Sequence, residues 1–411
     1  MTLDPIHVEG IAELAGQIEG EVDDREHDDF AERVWTSFFD PLMEDGREVL
    51  APIGEQRREH VKCDRIGLSD RPYQTVHGLD GGCLNPTTFV NGAVVDVAHS
   101  VLARDPSDHD LHRHRSIVGA IHRSGTVGLL QDGWEAFDDD FGRRRWVQAP
   151  TVDRFAEGVV HALALAAAEQ QHVSDHLEAV EELLVLDGGL YPKELLRWRD
   201  RHEALREVLV SEPLVRELIQ LGIDIVDRCL DRDLALVGFV KNPASNRLSR
   251  ILRRSDIAAP WFTDAGLFRR VLAPPESRSA PTRWLGYTNW FRSRAGTDGT
   301  LFELPTLGLS FPRGPDAYEV TFMVIYDPRD DVIYRAEAPA AVTATPDRRE
   351  RLRTFLLREI AANRGPPTAV RKADQLAKID RSQKATIRRV LEHTWSTDVD
   401  TTYNDLRWGT E

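Results

Sequence analysis

Cysteine is scarce in this sequence, and the three that occur, Cys63, Cys83 and Cys229, stand far apart. An odd number at such spacing fits neither a disulfide framework nor the paired pattern of a zinc site. Lysine is nearly absent. Of 52 basic residues only 6 are Lys, leaving 46 Arg (52 − 6). Long apolar runs are missing too. The most continuous, "VVHALALAAA", is too short to span a bilayer. The start, "MTLDPIHVEG", has neither the basic opening nor the apolar centre of a signal peptide. These absences predict a soluble, cytoplasmic protein without a membrane partner.

What the chain has in excess is acid. Its 68 Asp and Glu give a net charge of −16, concentrated in runs such as "EVDDREHDD" and "FDDDF". Such a surface suits molar salt, where the Debye length shrinks to about 3 Å and self-repulsion costs little. An extreme halophile is the expected source. Because the background charge then reflects the solvent, it does not exclude a nucleic-acid ligand. At 411 residues and 41% hydrophobic, the chain can bury one elaborated domain or two tightly joined ones.

Helical spacing of Ile6, Ile11, Leu14 and Ile18, then of Phe30, Val34, Phe38 and Leu42, predicts two amphipathic helices over residues 5–45. Their large apolar groups, Trp35, Phe38 and Phe39, suit either the protein's own core or a partner interface. Strands are expected near Tyr73–Leu79, in "FVNGAVVDVAHSVLA" and in "SIVGAIH", with residues 105–150 otherwise an elaborated loop. A strong helix, "TVDRFAEGVVHALALAAAEQQ", capped by Thr151 or Asp153, precedes the strand "ELLVLD". Helices fill 192–233, the strand "LALVGFV" ends at Lys241, and "YEVTFMVIYDPRDDVIYRAEAP" reads as a hairpin before helical C-terminal segments. Strands interleaved with helices, plus a hairpin, give a mixed-sheet α/β domain.

Two near-copies concentrate the chemistry: "VHGLDGG" at 76–82 and "LLVLDGG" at 183–189. Each delivers an aspartate from a buried strand into a glycine pair. The spacing is not that of a P-loop or a dinucleotide fingerprint, and nothing outside these residues repeats. Each aspartate could merely start a turn. On adjacent strands, however, the two carboxylates would converge on a hard divalent cation, as in phosphodiesterases that hold two ions about 3.5–4 Å apart. Oxygen-only ligands select Mg²⁺ or Mn²⁺ over zinc.

The sequence also resembles the NurA family of archaeal and bacterial nucleases. The matching pieces, in order, are "GLDGG", a glutamate on the next long helix, "LLVLDGGL", "VGFVKN", "RAEAP" and "GPPTAVRKADQLAKI". The resemblance implies an RNase H-like mixed sheet flanked by helices, with an N-terminal helical extension (1–60) and a nuclease domain (61–411) carrying insertions at 105–150 and 192–233. It further implies Mn²⁺-dependent DNA cleavage (Mg²⁺ being the alternative), by 5′–3′ exonuclease and single-strand endonuclease action in end resection. A homodimer and a HerA-type hexameric ATPase translocase are the implied partners. Carried over, Asp80 is the central metal ligand, Asp187 the second strand-end ligand and Glu157 the helix glutamate. Glu157 lies 30 residues before Asp187 (187 − 157), so this assignment assumes an insertion around "EQQHVSDH", with Glu169 as fallback. Asp374, in "KADQLA", stands where the family commonly has histidine; it can ligate the same cation but titrates far lower. Lys241 is placed to contact the scissile phosphate, or is a solvated loop lysine.

Other signals stay open at this level. Arg335 and Glu337 alternate along a strand, as an internal salt bridge or a DNA contact. "DHDLHRHR" (His109, His112, His114) lacks zinc spacing and reads as a polar loop. "GRRRW" at 142–146 either grips DNA or offsets "DDDF". Trp284, Tyr287, Trp290 and Phe291 are core or a stacking platform. Two rivals to the metal-dependent nuclease remain: a non-catalytic DNA-binding or assembly subunit with a degenerate site, and another RNase H-like nuclease of resolvase type.

Overall fold

The computed structural model of the chain describes residues 4–16, 24–123, 133–152, 154–254, 260–275 and 280–401. Helices α1 (Pro5–Ala15) and α2 (Asp24–Phe38) come first. Helix α1 leaves Ile6, Ile11 and Leu14 exposed, whereas α2 buries Ala31, Val34 and Trp35. Trp35 and the following Phe39 pack their rings on Phe291, and Phe39 on Phe268. Own-core burial therefore accounts for the α2 aromatics.

At the centre lie β1 (Val76–Cys83), β2 (Val94–Asp105) and β3 (Arg115–His122), an antiparallel meander. Helix α3 (Ala156–His176) follows, then β4 (Leu183–Asp187). Helices α4 (Lys193–Arg201), α5 (Glu203–Ser211) and α6 (Pro213–Asp231) lead to β5 (Ala235–Val240). Strand β4 lies between β1 and β5 and runs parallel to both. Spatially the order is β3-β2-β1-β4-β5, a meander continued by two parallel strands, as the RNase H-like expectation requires. Beyond α7 (Arg247–Arg254), the hairpin β6 (Val320–Asp327) and β7 (Val332–Pro339) pairs antiparallel with β5. Asp331 turns this hairpin at φ +54°, within the expected "DPRDD". Helix α8 (Thr368–Ala377) follows, between two further helices at Pro346–Asn363 and Arg381–Trp395. Among the described residues no helix is long and apolar enough to cross a membrane.

Three expectations need correction. Residue 60 is not a boundary: Arg47–Pro52 pairs with Phe291–Ser293, and Arg58–Lys62 with Trp284–Thr288, so the N-terminal segment is hydrogen-bonded into the same 15-stranded sheet. Nor is 105–150 simply a loop. "GRRRWVQ" forms a strand, Gly142–Gln148, parallel to β3. Its side chains are mostly half-exposed, so it never shows the apolar alternation that marks a buried strand. Thr151 does not cap α3, which starts at Ala156 after Phe155, and Asp153 lies outside the described residues.

The glycines of "HGLDGG" decide how closely helices approach β1. Alternate residues of a strand face opposite sides. On one side α8 crosses, and a Cβ on Gly78 would overlap the Ala369 carbonyl, one on Gly82 the Ala377 oxygen. On the other side a Cβ on Gly81 would lie 2.6 Å from Leu165 and 2.7 Å from Glu169, both on α3. Gly78→Ala is expected to lower stability by roughly 1–3 kcal/mol through overpacking against helix backbone, which cannot yield as a flexible side chain would. Equilibrium urea unfolding measures this; an unchanged midpoint would show that α8 can lift off at no cost.

Candidate metal centre

Parallel pairing runs from Val76 against Leu183 to Leu79 against Leu186, so the next residues, Asp80 and Asp187, emerge side by side. Helix α8, seated on the glycines, brings Asp374 to the same point. One carboxylate oxygen each from Asp80, Asp187 and Asp374 lies within 4.8 Å of the others. Lys241, just past β5, joins them: its Nζ is 2.6 Å from Asp187 Oδ2 and 3.5 Å from Asp374 Oδ1. The Gly81 N–H donates to Asp80 Oδ1 at 2.8 Å. Three of the four carboxylates carried over from the resemblance thus converge, and so does the lysine.

Glu157 does not join them. It is exposed at the first turn of α3, where its Oε1 accepts from Thr88 at 3.4 Å. Helix α3 runs unbroken through "EQQHVSDH", so Glu157 stays at its first turn. Twelve residues, about 18 Å of helix, separate Glu157 from Glu169. Glu169 is the acid beside the cluster. It abuts Gly81 and feels the charges of Asp80 and Asp187, with no hydrogen bond or ion pair among the described residues. One signal in the sequence pointed to it: "ALALAAAEQQ" embeds a single acid in an apolar helix face.

Crowding these acids shifts their protonation. Burial first, then the charge of Asp187, pushes Asp80 up to about 8, against the pull of the Gly81 N–H and Lys241. Asp187 is raised by burial, with Lys241 opposing. Glu169 is pushed well above the carboxylate range by burial and by Asp80 and Asp187. For Lys241 burial pulls down but the Asp187 hydrogen bond wins, so its ammonium is held more firmly. That ammonium is the positive charge now present among the carboxylates. An all-oxygen set of this size could hold a hard divalent ion.

Beside the cluster opens a cleft of about 1090 Å³ whose wall includes Asp187 and Glu169. Arg197 and Arg201 of α4 and Arg250 of α7 also line it, all exposed. Its floor holds an ionic network. Lys193 pairs with Asp298 at 2.7 Å and with Glu337, and Arg335 pairs with Asp298 at 2.6 Å and Glu337 at 2.8 Å. The "RAEAP" side chains are therefore an internal salt-bridge system. The arginines of "GRRRW" are also engaged: Arg143 pairs with Asp175 and lies over Trp134, and Arg144 pairs with Glu135 at 3.0 Å. In "DHDLHRHR", His112 Nε2 accepts from the Arg104 N–H at 2.8 Å, holding the segment to β2. Tyr287, Trp290 and Phe291 are buried and Trp284 half-buried, as core side chains.

Fold and site define a class: a mixed-sheet α/β protein with a carboxylate centre, able to hold a metal ion, at the ends of two parallel strands. The chain belongs to the NurA domain family, whose model matches residues 74–379, about three quarters of its length. A crystal structure of the NurA nuclease from Sulfolobus solfataricus shares the fold at 11% identity and a TM-score of 0.50, covering 96% of this chain and 98% of that one. NurA with manganese matches at 10% identity and TM-score 0.40, over 79% and 90% of the two chains. NurA bound to dAMP and manganese matches at 10% and 0.37, over 95% and 98%. No curated relative matches the sequence.

Because the folded state holds a proton on Asp80 that the unfolded chain has lost, this group's contribution to stability falls as pH rises from about 4 towards 8. Asp80→Asn should therefore melt above the wild type in chelator at pH 8, with the gap closing towards pH 4. Thermal melts across that range test it; equal curves would mean that the carboxylates do not repel.

Proposed function

We propose that this protein is a metal-dependent deoxyribonuclease that hydrolyses phosphodiester bonds at Asp80, Asp187 and Asp374. The observation that carries the reading is the convergence of these three carboxylate oxygens within 4.8 Å, beside a cleft whose lining includes Asp187 and three exposed arginines. Family membership supports it, and so does the fold shared with the Sulfolobus solfataricus nuclease. The donors fit Mn²⁺ or Mg²⁺, since all are oxygens and none is soft. A cation bound there would lower the pKa of a water and offset charge developing on the phosphate.

The chain's own groups do the rest. Asp80 and Asp187, fixed by strand register, hold the ion at the strand ends. Asp374 closes the set from α8 as a third oxygen ligand. Glu169, whose burial beside Asp80 and Asp187 favours its protonated form, would be the group that gives a proton to, or takes one from, a reacting water. Lys241, whose ammonium now pairs with Asp187 and Asp374, would be the chain's group to contact a phosphate oxygen. Arg197, Arg201 and Arg250 are placed to take the nucleic-acid backbone along the cleft. Their present pairings are exposed and worth at most about 1 kcal/mol, so phosphates can replace them. Action at DNA ends with a hexameric translocase, as a homodimer, belongs to the same reading. The degenerate-site alternative loses one of its motives, because Glu169 supplies the helix acid without a stretched spacing.

With Mn²⁺ in molar KCl, the wild type should shorten linear DNA. Asp80→Ala, Asp187→Ala and Glu169→Gln should each lower the rate by more than about 100-fold, beyond the loss typical of groups one shell further out. Glu157→Ala should cut normally. Normal cutting by both aspartate variants would remove the proposed centre; a dead Glu157→Ala beside an active Glu169→Gln would return the role to the helix start. Arg250→Gln should weaken DNA binding at all sequences and reduce the slope of log K against log salt by about 1. Fluorescence anisotropy over a KCl series reads this; an unchanged slope would place the DNA elsewhere.

A further inference from the structure

Outside the carboxylate cluster, a second group of ligating side chains meets from three separate elements. Cys83 closes β1, Asp96 lies near the start of β2, and His161 stands on α3. One donor atom from each, a sulfur, an oxygen and a ring nitrogen, lies within 4.8 Å of the other two. Asp96 is fully buried, with Oδ1 accepting from the Val97 N–H at 2.7 Å and Oδ2 2.8 Å from His161 Nδ1. The Cys83 thiol contacts Asn85 Oδ1 at 3.3 Å and hydrogen-bonds with His161. His161 keeps about a third of its side chain accessible, so an ion has a way in.

We propose that Cys83, Asp96 and His161 form a second cation site, and that it takes zinc. Thiolate, imidazole and carboxylate are the three donor types zinc accepts, and three protein ligands leave a fourth position for water. The sulfur sets this site apart from the all-oxygen centre, whose donors prefer Mn²⁺ or Mg²⁺. The two sites are also too far apart to be one binuclear centre. Three residues of strand separate Asp80 from Cys83, about 10 Å, and eight residues of helix separate His161 from Glu169, about 12 Å. Paired ions of a phosphodiesterase sit at about 4 Å. Both sites nonetheless share a wall, since His161 and Glu169 line the same cleft from one stripe of α3.

An ion here would join the end of β1, the start of β2 and the second turn of α3. Those are the elements that fix where Asp80 and Glu169 stand, so zinc at this point would hold the carboxylate centre in position without entering it. Binding requires the thiolate and a neutral imidazole, so uptake releases protons to solvent. The inference rests on donor geometry alone and stands whether or not the chain cuts DNA.

Cobalt titration of the full chain tests it. The protein is stripped with chelator, then held in excess Mg²⁺ so that the carboxylate centre does not compete for Co²⁺. One equivalent of Co²⁺ should bring up a near-ultraviolet thiolate-to-cobalt band with intense visible absorption, and one equivalent of Zn²⁺ should abolish both. Asp80→Asn should keep the spectrum, Cys83→Ser should lose the thiolate band, and His161→Gln should lose tight binding. Circular dichroism and a urea melt confirm that each variant folds. Absence of a thiolate band in the wild type overturns the proposal by itself, whatever the variants do. A band that survives in folded Cys83→Ser overturns it too, because the sulfur would then be Cys63 or Cys229.

Discussion

Repulsion among carboxylates that the backbone will not let separate is the constraint around which this protein is built. Asp80 and Asp187 end adjacent parallel strands in matching register, and α8 adds Asp374 from above. Strand hydrogen bonds and a buried core hold the positions, so the acids answer in the one way left to them, by retaining protons and by gathering Lys241. Crowding of this kind weakens the fold, and a cation held among the three carboxylates would relieve it.

Close approach makes the crowding possible. Glycines at 78 and 82 let the α8 backbone lie directly on β1, and Gly81 lets Leu165 and Glu169 press from the opposite side. Any side chain at these places would push a helix outwards and carry its carboxylate with it. The same economy of space holds at β5, where a Cβ on Gly238 would lie 2.7 Å from the Leu190 nitrogen and 2.8 Å from the Gly188 oxygen. Gly81 and Gly82 therefore serve close packing, whereas Gly188, at φ +119° with open space where a Cβ would stand, serves the turn.

Much of this was legible from residue order. The strands around "HGLDGG", "LLVLDGG" and "LALVGFV", the long α3 helix and the terminal hairpin all appear where apolar pattern and turn residues put them, because buried strands and helices must carry that pattern. The misreadings share a cause. Gly142–Gln148 looks like loop because a half-exposed strand near the sheet's margin needs no apolar alternation. Glu157 drew the helix role because spacing along the chain was weighed without knowing which turn of α3 meets β1. Cys83 looked isolated because its neighbours Asp96 and His161 come from other elements, at distances in sequence that no motif records.

By itself the sequence pointed to the class of protein and to the two strand-end aspartates, Asp80 and Asp187. Buried strands that end in Asp-Gly-Gly, a low cysteine count and an acid excess follow from composition and local pattern, which act over a few residues. Which acid on α3 belongs to the centre, that Asp374 reaches it, and that Lys241 lies among the carboxylates were settled only by the tertiary structure. The reason is physical: convergence depends on strand register and on how near a helix can come to a sheet, and both are set by packing between segments up to three hundred residues apart.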